Sequence, residues 1–220
     1  MVDVYESEQE QIEALKRWWS ENAVSAVLGV VLGLSGLFGW YQWQDYQGGQ
    51  QAGASAVFTE LLRGVQEDNT DNAPALADQL VSDYAGTHYA NLGQLAAARV
   101  AVEAGDLETA ASRLQWVVDN ASASHFEQVA TLRLAQLALG QDQLAKAEQL
   151  LSGTFPSSYM AIAEELRGDL AVAQGDSNAA RVAYDRALNA ELPLQNPMRV
   201  EMKRDNLGNV DLTNTESSDS

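Results

Sequence analysis

An all-α chain, with a single N-terminal transmembrane helix ahead of a helical-repeat solenoid, is what this sequence predicts, and three observations predict it. Residues Asn22 to Gln44 carry no charge, in a chain whose formal net charge is −18. A glycine–alanine pattern returns three times at one spacing downstream of that run. The remainder is rich in Ala, Leu, Gln and Glu, has no sustained β-branched alternation, and contains only four prolines in the whole chain, which leaves long stretches free to be helical.

Composition narrows the function before any motif is considered. A net charge of −18 removes the basic footprint that a nucleic-acid backbone requires, and it opposes lying flat on anionic lipid. The chain has no cysteine, so disulfides, thiolate metal sites and cysteine nucleophiles are excluded together. With two histidines and no thiol, no metal site and no cofactor is expected.

Residues 1–21 come first. In "EQEQIEALKRWW", Ile12, Leu15 and Trp19 fall at i, i+3 and i+7, with Trp18 alongside. That spacing fits an amphipathic segment meeting a membrane face, and fits equally a helical extension of the following span with solvated acids.

The span itself is residues 22–44. At about 1.5 Å per residue it reaches roughly 35 Å, against a hydrocarbon thickness of about 30 Å. Trp18 and Trp19 stand at one end and Trp40, Tyr41 and Trp43 at the other, where two membrane interfaces attract amphipathic rings. A cleaved secretion signal fits less well. The small-residue sites near Ala52-Gly53-Ala54 lie well beyond the bulky end of an apolar run that is too long for a signal. Lys16 and Arg17 precede the span, and no Lys or Arg follows before Arg63. The positive-inside rule then puts the N-terminus in the cytoplasm and the bulk of the chain outside it. Ser25, Gly29, Gly33 and Gly36 recur at helical spacing inside the span. They form either a packing face for another helix or simply the glycine frequency usual in such helices.

Residues 45–54, with Gly48-Gly49, are expected to be a linker: a hinge, or a continuation of the anchor helix. Residues 55–207 are expected to form the repeat domain. "VEAGDLETAASRL", "LALGQDQLAKAEQL" and "AVAQGDSNAARVAY" each place an alanine five residues after a glycine. The glycines are Gly105, Gly140 and Gly175, and the alanines Ala110, Ala145 and Ala180. A period near 34 with helix–turn–helix character is the tetratricopeptide pattern. Glycine tolerates the left-handed conformation of a tight turn, and the small alanine lets the second helix pack close to the first. The third copy adds Gly168, Tyr184 and Ala187, which the second lacks.

Thr87, Ser124 and Ser157 precede an aromatic in each copy and are expected as helix caps; His88 and His125 sit beside them and are expected to be structural. Arg99, Arg133 and Arg167 drift by one residue per repeat relative to the glycines, so no arginine stripe is expected. A helix pair from Ser55 to Tyr84 caps one end, and "MRVEMKRDNL" closes the other. Residues 208–220 are small and acidic and are expected to be a disordered tail. No nucleophile–base pair, phosphate loop or metal spacing is present, so the chain is expected not to be an enzyme.

The juxtamembrane stretch Glu10, Gln11, Glu13, Lys16, Arg17, Trp18, Trp19, Glu21 and Asn22, running straight into a glycine-rich span and then into repeats, resembles the YfgM-like family of ancillary subunits of the bacterial SecYEG translocon. The resemblance extends to about Leu207. It implies a non-catalytic inner-membrane protein with a periplasmic domain, associated with the translocon and with the membrane-anchored chaperone PpiD, and helping to hand over translocated proteins. A cytoplasmic response regulator is a further partner it implies. A general envelope-assembly scaffold, anchored in the same way but unrelated to translocation, is the alternative.

Overall fold

The computed structural model describes residues 3–216, with side-chain surroundings described for 10–25 and 27–207. The chain divides into two compact units, one ending at Ala52 and one beginning at Gly53, and every element among the described residues is helical.

The first helix, α1 (Asp3–Gln66), supplies the described residues of the first unit and the opening helix of the second. Residues 45–54, Gly48-Gly49 included, are helical throughout. Each glycine costs about 1 kcal/mol relative to alanine in a helix, and the flanking glutamines and alanines offset that. The expectation of a single span over 22–44 is met in part. No single helix among the described residues is long and apolar enough to cross a membrane. Two arms, Glu10–Ser25 and Val27–Gln66, pass that test together across a 50° bend. Just before the bend, Ser20 donates to the Arg17 carbonyl at 2.8 Å and Asn22 to the Trp18 carbonyl at 3.0 Å.

The second unit is a row of helix pairs. After the end of α1 come α2 (Ala73–Tyr84), α3 (His88–Glu103), α4 (Leu107–Asn120), α5 (Ser124–Gly140), α6 (Leu144–Leu151), α7 (Ser157–Ala173), α8 (Ser177–Leu188) and α9 (Pro197–Glu216). Pro74 in the first turn of α2 and Pro197 at the start of α9 occupy positions that need no backbone donor. The core is a string of neighbouring clusters. Leu61, Ala77 and Leu80 begin it, Leu114, Val117 and Leu134 follow, then Ala135, Leu151 and Leu166, and Ala180, Tyr184 and Val200 end it. Such one-dimensional stacking is the physics of a repeat solenoid. Gly53 lets α1 close on α2, since a Cβ there would lie 2.6 Å from the Tyr84 hydroxyl.

The turns show where the repeats truly align. Gly105 and Gly175 take φ of 78° and 79°, but in the middle repeat the left-handed residue is Asp142 (φ 57°), not Gly140. In each turn the next amide closes on a carbonyl five residues back: Asp106 on Ala101, Gln143 on Ala138, Asp176 on Ala171. The middle repeat is therefore displaced by two residues from its glycine. Ala110 and Ala180 are fully buried, whereas Ala145 is exposed and its place is taken by Ala147, also fully buried.

The caps lie elsewhere than expected. Thr87 stands before α3, but its hydroxyl donates to the Tyr84 carbonyl. Ser124 and Ser157 are already helical. The side-chain caps belong to the second helices, where Asp106 accepts from the Thr109 amide at 3.0 Å and Asp176 from the Ala179 amide at 2.8 Å. At the far end, the boundary drawn at Gly208 is not a helix end, because the helical backbone of α9 runs through it to Glu216. One glycine is too small a penalty to stop a helix. The last residues of the expected tail, 217–220, lie outside the described residues.

Candidate partner groove

In the first unit, Ser25, Gly29, Gly33 and Gly36 lie on exposed helix, and a Cβ added at any of the three glycines would meet nothing within 4 Å. Val24, Leu28, Val31, Leu32, Leu34, Leu37 and Phe38 are exposed as well. An apolar helix surface without covering protein is unstable in water. Lys16, Arg17, Trp18, Trp19, Trp40, Tyr41 and Trp43 are likewise exposed at the two ends of this surface.

In the second unit, two adjoining cavities lie along the repeats. One, of about 480 Å³, lies between α3, α4 and α5 and is walled by Ala98, Val102, Leu107, Leu114 and Leu137, with Arg99, Arg133 and Gln136 as its polar groups. The other, of about 350 Å³, lies between α5, α7 and α9. Arg133 and Gln136 border both, so the two cavities form one groove.

The second cavity is built around charge. Glu165 on α7 is almost fully buried. Arg199 donates to it at 2.8 Å and Lys203, also at 2.8 Å, from α9. Lys203 bridges further to Asp169 at 2.7 Å, and the Tyr184 hydroxyl donates to Asp169 at 2.8 Å. Burial, that hydrogen bond and the two carboxylates push ionisation of the Tyr184 phenol well above its usual range. Gly168 makes room for the Tyr184 ring, with which a Cβ would collide.

The first cavity carries the opposite signature. Among the described residues Arg99 pairs only with the exposed Glu103 on its own helix, at 2.8 Å. Arg133 has no hydrogen bond or ion pair among the described residues. Desolvation, and then the neighbouring Arg99 charge, bring its pKa down. Measured from glycines, the arginine series gave no stripe. Measured from the left-handed turn residues, Arg99 lies six residues before Gly105, Arg133 nine before Asp142 and Arg167 eight before Gly175. Six and nine differ by nearly one helical turn, so Arg99 and Arg133 share a face, while Arg167 is rotated away. Arg167 bonds instead to the Leu151 and Gly153 carbonyls at 2.7 Å. His88 and His125 lie outside the groove. His88 contacts the Ser122 hydroxyl at 2.8 Å, and His125 packs on Phe126.

Comparison with known proteins adds an independent line. A family model described as a tetratricopeptide repeat-like domain matches residues 16–209, which takes in the apolar run as well as the repeats. The chain is 30% identical over 206 residues to the ancillary SecYEG translocon subunit of Escherichia coli strain K12, covering 94% of this chain and 99% of that protein. It is 32% identical to the ancillary SecYEG translocon subunit of Haemophilus influenzae, covering 91% of this chain and 97% of that one. A third relative of the same name, from Aggregatibacter actinomycetemcomitans, is 28% identical over 82% of this chain and 88% of its own. No solved structure matches significantly.

Proposed function

Because the chain belongs to the family of ancillary SecYEG translocon subunits, we propose that it is a non-catalytic subunit of the bacterial Sec translocon. It is held in the inner membrane by residues 22–44, with its N-terminus in the cytoplasm and its repeat domain in the periplasm. The observation that carries this reading is the pairing of an uncovered apolar helix with a soluble-type repeat core in one chain. Lys16 and Arg17 on the N-terminal side, with aromatic residues at both ends, set the orientation.

In this role the anchor supplies local concentration. A weak contact made by the groove is strengthened when both partners are held at one membrane. The periplasmic chaperone PpiD is the partner proposed for the repeat domain, with handover of translocated polypeptides as the outcome. The segment before the span is the place for a cytoplasmic response regulator. The Gly29/Gly33 face is the proposed packing surface for another membrane helix.

Crosslinking in intact membranes, followed by identification of the captured proteins, tests this. Translocon subunits captured by wild type and lost on replacing Gly29 and Gly33 with leucine are the expected result. Capture that survives both leucines overturns the packing face, and absence of translocon subunits from wild type overturns the function.

A further inference from the structure

The cavity between α3, α4 and α5 has a chemistry that the translocon role does not specify. Its polar groups include two guanidinium groups and no carboxylate, in a chain with a net charge of −18. Arg133 has no ionic or hydrogen-bonding partner among the described residues. Among the described residues the one partner of Arg99 is Glu103, in an exposed i,i+4 contact of a kind that is weak and easily exchanged. Arginine stays charged in proteins and presents a planar fork that suits carboxylates. Around the two forks the walls are apolar, and include Val102, Leu107 and Leu137.

We infer that this cavity is a docking site for a segment of a partner polypeptide that carries an aspartate or glutamate side chain flanked by apolar residues. The carboxylate lies between Arg99 and Arg133, and the neighbouring side chains fill the apolar walls. An internal acidic side chain is the occupant, because the cavity does not end at Arg133. Arg133 and Gln136 also border the second cavity, so a bound segment runs on along the groove. In that second cavity Glu165 and Asp169 already hold Arg199 and Lys203, which leaves the Arg99–Arg133 pair as the place where added negative charge is unopposed.

This inference rests on the reading of the repeat domain as a partner-binding surface. It is tested with the full-length protein in detergent, applied to an array of short random peptides that are acetylated and amidated, beside a matching set with free carboxyl termini. Retained blocked peptides are expected to carry Asp or Glu beside Leu, Ile, Val or Phe. Changing that acid to its amide, or changing Arg133→Gln or Arg99→Gln, is expected to weaken binding by roughly tenfold or more. Both arginines are exposed in part, so unchanged circular dichroism of the variants separates lost binding from lost fold. Peptides without an acid, indifference to both substitutions, no retained peptide, or a preference for free termini would each overturn it. Translocon crosslinking by the wild-type protein keeps the two ideas apart. Crosslinking that persists while peptide binding is absent ends the groove inference alone, and peptide binding without translocon crosslinking ends the functional reading alone.

Discussion

The ammonium of Lys203 lies 2.8 Å from the carboxylate of Glu165, a side chain only 2% exposed, and so ties the last helix to the first helix of the third repeat. A buried carboxylate is tolerable only while it stays paired. Lys203→Met is expected to destabilise the domain by about 2 kcal/mol, below the roughly 3–5 kcal/mol of a fully buried broken pair, because Arg199 remains and Lys203 is partly solvated. Adding Glu165→Gln to Lys203→Met should recover part of that loss. Urea unfolding of the single and double variants measures it.

Gly168 and Tyr184 are a matched pair. Counted from their turns, their equivalents are Ala98 with Leu114 and Ala135 with Leu151, all buried. Gly168→Ala alone should cost about 1–3 kcal/mol through overpacking against the ring. Combining it with Tyr184→Leu recreates the arrangement of the other two repeats, and a double-mutant cycle should show a favourable coupling between the two changes.

The middle turn is the weakest. Asp142 holds a left-handed conformation that costs a side-chain-bearing residue about 1–2 kcal/mol. Asp142→Gly is therefore expected to raise thermal stability. Gly175→Ala, at the same place in the third repeat, should lower it. Gly140 is in open helix, so Gly140→Ala should be neutral or gain up to about 1 kcal/mol.

Tyr184 makes the domain sensitive to alkali. Its phenol ionises less readily folded than unfolded, because of burial and the bond to Asp169. The stabilisation is complete below about pH 10, where the unfolded residue ionises, and it is lost as pH rises towards the folded value. Above pH 10 stability should fall by up to about 1.4 kcal/mol per pH unit. Tyr184→Phe should flatten that dependence, as followed by denaturant unfolding at a series of pH values.

Spacing made the repeats legible, because glycine and alanine mark turn and contact wherever both keep their places, as at Gly105–Ala110 and Gly175–Ala180. The middle repeat misled. There an aspartate adopts the left-handed turn, and a nearby helical glycine, Gly140, imitates it. That two-residue displacement also hid the meeting of Arg99 and Arg133. The buried Glu165 and the half-buried Asp169 were invisible for another reason. Their partners Arg199, Tyr184 and Lys203 come from two later helices, and no local pattern announces a pairing made across the fold. Caps failed similarly, since a hydroxyl ahead of a helix also satisfies itself on a preceding carbonyl, as Thr87 does.

The division of the core into successive clusters has a mechanical corollary. Each repeat leans only on its neighbours, so slight rotations at several junctions add up along the row. The groove can thereby widen or narrow like a leaf spring while every helix keeps its own backbone bonds.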